Sequence, residues 1–476
     1  MTANAPITKT VGMLVQKAKI AQLDFEKYNQ EQVNEVVTAV AWAICNPLNN
    51  KLIAELSVTT TNLGKIEDKI IKNKRKTLGL LRDLQQAKSV GVIQEDKTTG
   101  IIEIARPVGV IAAVTPSTNP AATPINNILN ALKGRNAIII SPSPAGQKVF
   151  QELLNYINNE LDKISAPKNL IQTLPSPVNK DLTKELMKQV DLVIVTGSQN
   201  NVRAAYSSGT PAIGVGQGNV TVIIDETCDL KDAARKIKLS KIFDYATSCS
   251  SENNLVVVKK VYDEFIKLLE LEDGLLLNAD QKKSLQNILW INGKLNKNIL
   301  AKSASTLCKE IDLKKDYSEK TQFLIVEEQG IGREHPFSGE KLSPVLSIYK
   351  AEDFQDAKNI SNKILNYQGK GHSIGIYTQD SSRSMELGLE LPVCRVIVNQ
   401  AHTFATGGSF TNGLPFSLSM GCGTWGRNSI DDNLNYKHFI NITRISTEIP
   451  GTEPTLKDFF EKYCYKHHPK NLDLLD

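Results

Sequence analysis

Apolar positions recur at three- to four-residue steps from the start of the chain. Leu14, Ala18, Ala21, Phe25 and Tyr28 follow this spacing, as does the segment 33–44, which predicts helices through about residue 80. The period then shortens. Two β-rich runs, 90–93 and 100–105, separated by the turn-like 95–99, predict a hairpin. From Val108 onward, short apolar runs at 108–114, 136–141, 170–173, 191–196 and 220–225 alternate with helical stretches near 125–133, 147–161, 180–189 and 200–208. That alternation marks a mostly parallel, doubly wound sheet. A second alternating region runs from Leu230 to about Gly413, with strand candidates at 255–258, 322–326, 345–348, 373–377 and 396–399. The fold class read from the pattern is α/β, with two doubly wound domains in tandem. The segment 436–446 reads as one more strand without a neighbour in sequence, expected to pair with the early hairpin or with another subunit.

Length and composition narrow this picture only modestly. A chain of 476 residues exceeds what one hydrophobic core usually organises. The formal charge of +5 gives no electrostatic case for nucleic acid or membrane partners. The basic run from Lys72 to Lys76 is read as a solvated helix face rather than an anion grip. Seven scattered cysteines without a CxxC pair suggest neither a disulfide framework nor a metal site, and fit a reducing compartment. His467 and His468 beside Cys464 read as a surface tail, not a metal site. The opening nine residues lack the features of a secretory signal, so the expected location is the cytoplasm.

Four segments carry candidate chemistry. Cys249 sits among Thr247, Ser248, Ser250 and Ser251, between a charged helix and a predicted strand. A nucleophilic thiol needs room for substrate, backbone N–H groups and surroundings that favour thiolate, all of which such a loop can offer; an inert packed cysteine is the competing reading. Asn119, bracketed by Pro116 and Pro120 after the strand 108–114, suits either a stiffened oxyanion donor or an Asn-Pro turn. Thr196, Gly197 and Ser198 follow an apolar strand and open a helix, a setting for a dinucleotide diphosphate. The run Gly214, Gly216, Gly218 is rejected as a phosphate fingerprint, because Asn219 stands where the third glycine belongs and the run precedes its strand.

Taken in order, 106–111 with 115–120, 132–138, 204–209, 248–252, Gly371 with His372, and 421–429 resemble the aldehyde dehydrogenase superfamily, specifically its CoA-acylating branch, over nearly the whole chain. The resemblance implies a cofactor-binding domain (1–88 and 107–225), a catalytic domain (226–415), and a small β oligomerisation flap with tail (89–106 and 430–476). It implies Cys249 as nucleophile, Asn119 as oxyanion donor, and Glu340 as the carboxylate on the nicotinamide ribose. Thr115, Pro116, Ser141, Thr196, Gly197 and Ser198 fall around the cofactor, NAD or NADP. His372, bracketed by glycine as in acylating members, is a candidate acceptor for the proton of the coenzyme A thiol, against a purely structural role. Where hydrolytic members carry a general-base Glu, this chain has Gly214, and Ser141 replaces the usual cofactor-domain Lys. Without that base water is poorly activated, and the thiol of coenzyme A takes the acyl group instead. The segments 243–253 and 407–421 look most like sulfoacetaldehyde dehydrogenases. Acetaldehyde, succinate semialdehyde and a hydrolytic reaction are the alternatives. A homodimer or homotetramer is expected, with the aldehyde and coenzyme A as small-molecule partners.

Overall fold

The computed structural model describes residues 5–313, 319–469 and 475; the remaining ends of the expected first domain and tail lie outside the described residues. Contacts divide the chain into two compact units, 1–89 with 107–440, and 90–106 with 441–476.

The larger unit opens with helices Ala5–Phe25, Gln30–Cys45, Pro47–Thr61 and Ile66–Gln85. Local chemistry sets their limits. Asn29 and Gln32 form a reciprocal capping box, and Asn46 caps a helix that starts on Pro47, where a missing N–H costs nothing. Asn62 ends that helix in the left-handed conformation. The stripe Val33, Val37, Val40 and Ile44 is buried, as its spacing predicts.

Five parallel strands follow in the spatial order Ile171–Thr173, Ala137–Pro142, Val110–Thr115, Leu192–Val195, Ala212–Gly214. The central strands are buried on both faces, which is why they read as unbroken apolar runs. A second parallel sheet has seven strands, in the order Gly274–Leu276, Phe323–Glu327, Val345–Ala351, Glu252–Val258, Val220–Ile224, Ile374–Tyr377, Val396–Val398. Alternate residues feed separate cores: Val220, Val222, Leu255 and Val257 join Phe265 on one face, whereas Ile223 and Val256 join Ile364 on the other. The strand Val220–Ile224, which the sequence grouped with the first region, hydrogen-bonds to strands of the second. Non-local pairing decides that membership.

In the smaller unit Gly91–Asp96 pairs antiparallel with Ile101–Pro107, with a register shift between Val92 and Gln94. Ile440–Ser446 completes the sheet beside the second strand, and Arg444 reaches Glu103 at 2.9 Å. The late strand therefore finds its partner in the hairpin. Among the described residues no helix is long and apolar enough to cross a membrane.

Candidate active site

The carboxyl ends of the strands Val110–Thr115, Leu192–Val195 and Ala212–Gly214 lead into loops at 116–119, 196–198 and 215–218, where an open α/β sheet holds its ligands. The loop 247–250, which precedes Glu252–Val258 of the larger sheet, faces them. Together they enclose a cavity of about 460 Å³. Of the residues singled out by sequence, Pro116, Asn119, Thr196, Gly197, Ser198, Cys249 and Glu340 line it. Three others do not. Thr115 is buried at its strand end, and Ser141 is buried with Oγ 2.8 Å from Thr183 Oγ1. His372 is buried, with Nδ1 2.7 Å from Ser373 Oγ and Nε2 lacking a hydrogen-bond partner. Burial pushes the His372 imidazole down to about 3.

Cys249 borders the cavity but is not poised as a thiolate. Burial, with a smaller contribution from the Glu340 carboxylate, pushes its thiol up to about 12, and a hydrogen bond with Ser250 offsets this only in part. The expected thiolate-favouring environment is therefore corrected: small neighbours give room, but they bring no cation close enough to outweigh desolvation. Gly218 packs against the same residue; a Cβ there would lie 2.2 Å from the Cys249 carbonyl oxygen.

The loop before Cys249 is held in an unusual backbone. Asp244, Tyr245 and Ala246 all have left-handed φ (50°, 49° and 59°), which costs an L-residue about 1–2 kcal/mol each. A buried ionic cluster offsets this. The fully buried Asp244 carboxylate accepts from the Lys65 N–H (2.9 Å), from Lys69 Nζ (3.1 Å), from Thr247 Oγ1 (2.7 Å) and from Lys72 Nζ. Burial alone would raise its carboxyl, but the Lys72 and Lys69 ammonium groups hold it below the usual range. Lys72 also donates to Asn119 Oδ1 at 2.9 Å and to Thr247 Oγ1 at 3.0 Å. With its oxygen fixed on an ammonium, Asn119 has Nδ2 left to donate; the only contact of that nitrogen among the described residues is Thr118 Oγ1 at 3.5 Å.

On the cofactor side, Glu340 accepts from Gln217 Nε2 at 3.2 Å, and burial raises its carboxyl to about 7. The buried Lys341 beside it donates to the carbonyls of Phe337 (2.5 Å) and Gly339 (2.9 Å), stiffening this turn. Gly197 has open space where a side chain would be, so a ligand can approach its backbone closely. Gly214 is the opposite case. A Cβ there would meet Val202 Cγ1 at 2.5 Å, so no base fits without displacing the helix Gln199–Tyr206.

The sequence reading missed Lys69, Lys72, Lys76 and Asp244. Lys69 and Lys72 are almost fully buried, and Lys76 lines the cavity, so the basic run is not a solvated face. Their spacing of three, four and seven was the available signal: it places all three on one side of the helix Ile66–Gln85. Asp244 gave none, since its lysine partners lie more than 170 positions away.

Comparisons with known proteins agree with this geometry. The model of the aldehyde dehydrogenase family matches residues 3–272, which include Asn119, Thr196 and Cys249. The chain is 50% identical over 468 residues to the sulfoacetaldehyde dehydrogenase (acylating) of Cupriavidus necator, covering 97% of this chain and 95% of that one. It is 42% identical to a sulfoacetaldehyde dehydrogenase of Acholeplasma sp, covering 94% and 93% respectively. Among solved structures, an acetylating aldehyde dehydrogenase from Geobacillus thermoglucosidasius superposes with a TM-score of 0.90 at 34% identity, covering 95% of this chain and 99% of that one. A cysteine and an asparagine facing one cavity at the strand ends, within a match of this extent, lead to one conclusion: the chain belongs to the aldehyde dehydrogenase family.

Proposed function

We propose that this chain is a CoA-acylating aldehyde dehydrogenase that converts sulfoacetaldehyde, coenzyme A and NAD(P)+ to sulfoacetyl-CoA, NAD(P)H and a proton. The observation that carries this reading is the placement of Cys249 and Asn119 on one cavity, while Gly214, just before the lining segment 215–218, packs against Val202 with no room for a base. The extensive identity to acylating sulfoacetaldehyde dehydrogenases supports the choice of aldehyde.

In this mechanism the Cys249 thiol gives its proton to solvent, the proton counted among the products, as its sulfur adds to the aldehyde carbon. The carbonyl oxygen, now an alkoxide, takes hydrogen bonds from Asn119 Nδ2 and the Cys249 backbone N–H. Lys72 keeps the carboxamide turned the right way by holding Oδ1. Thr196, Gly197, Ser198, Glu340 and Gln217 fit a dinucleotide: open backbone at a helix start for the diphosphate, and a carboxylate for ribose hydroxyls. When bound there, the nicotinamide ring supplies a hydride acceptor. Cys249 is then left as a thioester, and the thiol of coenzyme A displaces it, releasing acyl-CoA and restoring the cysteine. Glu340 is the only carboxylate among the described residues lining the cavity, and in this scheme the ribose hydroxyls occupy it, so thioester hydrolysis lacks a dedicated base.

His372 is assigned a structural part in this scheme, since it does not reach the cavity wall. Cytoplasmic residence is proposed on the strength of seven free cysteines. A homo-oligomer is proposed from the exposed strand Ile440–Ser446, which ends its sheet. The reaction is tested with a panel of sulfoacetaldehyde, acetaldehyde and succinate semialdehyde, with and without coenzyme A, followed at the nicotinamide absorbance. Sulfoacetaldehyde with coenzyme A is expected to give the highest kcat/KM. Equal turnover without coenzyme A would overturn the acylating assignment.

A further inference from the structure

A sulfonated aldehyde brings a permanent negative charge into a cavity, and that charge needs a partner. Lys76 lines the cavity together with Cys249. A smaller recess of about 20 Å³ shares Lys76, Asn119, Ser248, Thr403 and Leu418 with it and adds Lys72 and Arg75. Lys72 is committed to Asp244, Thr247 and Asn119. Lys76 and Arg75 are not committed to any acid: among the described residues neither has a carboxylate at ion-pair distance. Lys76 Nζ donates to the Gly407 carbonyl at 2.6 Å, which leaves two of its three donors free. Arg75 contacts Ser409 Oγ at 3.2 Å and the Phe404 carbonyl at 3.5 Å, and its Nε is buried without a partner.

Resting on the acylating reading above, we propose that Lys76, backed by Arg75, is the subsite that binds the sulfonate of the substrate and so determines its specificity. The chemistry is complementary. A sulfonate offers three acceptor oxygens to the free donors of an ammonium group and a guanidinium. The position also sets chain length. Ser248, directly before Cys249, lines both the recess and the cavity, so an anion held at Lys76 sits close to the carbon that Cys249 attacks. That suits a two-carbon aldehyde rather than one with a longer tail. Burial, with the like charges of Arg75 and Lys72, lowers the Lys76 ammonium to about 7, and an anion bound beside it would favour its charged form.

Two measurements test this. First, the ratio of kcat/KM for sulfoacetaldehyde to that for acetaldehyde is compared in the wild type, Lys76→Met and Lys76→Arg. The ratio is expected to fall by at least about tenfold in Lys76→Met, through KM for the sulfonate, and to be largely restored in Lys76→Arg. An unchanged ratio would overturn the proposal. Second, ethanesulfonate is used as an unreactive probe in the wild-type protein, where it is expected to slow alkylation of Cys249 by iodoacetamide while uncharged ethanol at equal concentration does not. Absence of protection overturns the subsite without reference to any variant. Failure of the wild type to oxidise sulfoacetaldehyde with coenzyme A, despite protection by ethanesulfonate, would instead reject the substrate and leave the anion subsite standing.

Discussion

Replacing Lys72 with Met removes one ammonium from the centre of the buried cluster and with it the bonds to Asn119 Oδ1 (2.9 Å), Thr247 Oγ1 (3.0 Å) and Asp244. Breaking a buried ion pair costs about 3–5 kcal/mol when the survivor is left alone. Here Asp244 keeps Lys69 at 3.1 Å, the Lys65 N–H at 2.9 Å and Thr247 Oγ1 at 2.7 Å, so the expected loss of stability is smaller, about 2 kcal/mol. The kinetic effect is larger in kind. Without Lys72 nothing fixes the Asn119 carboxamide, and the donor to the developing alkoxide loses its aim. The loss is bounded by what one such donor contributes, about 3 kcal/mol, so kcat should fall roughly ten- to hundredfold. The assay is a double-mutant cycle. Rates of CoA-dependent NADH formation are compared for Lys72→Met, Asn119→Ala and the double variant, with urea denaturation run in parallel for stability. If Lys72 acts through Asn119, Lys72→Met costs little further rate in the Asn119→Ala background. Full multiplicative loss in the double variant would refute the positioning argument, even if each single variant were slow.

Other outcomes follow from the same geometry. Gly218→Ala places a Cβ 2.2 Å from the Cys249 carbonyl oxygen, so turnover should fall by more than about tenfold while aldehyde-independent cofactor binding, read by fluorescence, changes little. Gly214→Glu should not install hydrolysis, because its Cβ meets Val202 at 2.5 Å; thioesterase activity in that variant would show that the helix Gln199–Tyr206 yields. Burial lowers the pKa of His372 to about 3 and of His402 to about 4. Both folded values lie below the unfolded value, so at these two sites the unfolded chain binds more protons and their contribution to stability falls as pH drops below about 6.5. Over the same range the raised carboxyls of Glu340 and Glu252 act with the opposite sign, so the histidine contribution is read by difference: on going from pH 6 to 5 in urea titrations, wild type should lose about 1 kcal/mol more, or gain about 1 kcal/mol less, than His372→Asn.

Much of this protein was legible in the sequence because its signals are local. The apolar runs at 110–115, 137–142 and 192–195 are buried on both faces, so they read as strands without alternation, and the loops after them follow from chain order. Cys249 and Asn119 could be picked out because short motifs surround them, Glu340 came from the family resemblance, and the structure brings all three to one cavity. What escaped was set by distance along the chain. The strand Val220–Ile224 joins the second sheet through pairing with Glu252–Val258 and Ile374–Tyr377, which no local pattern encodes. Lys72 and Lys76 looked like surface charge because their acid partner, or its absence, is a fact of three dimensions. The protonation of Cys249 was misjudged for the same reason: neighbouring serines describe room, whereas burial and the Glu340 carboxylate decide the charge.

The central claim is an acyl group carried on one sulfur atom. Wild-type protein is mixed with sulfoacetaldehyde and NAD(P)+ in the absence of coenzyme A, quenched with acid, and digested for peptide mass measurement. A burst of NAD(P)H close to one per subunit, with the added acyl mass on the peptide containing Cys249 and its loss on later addition of coenzyme A, is the predicted result. The acyl mass on a different residue, or an equal burst from Cys249→Ala, would contradict it.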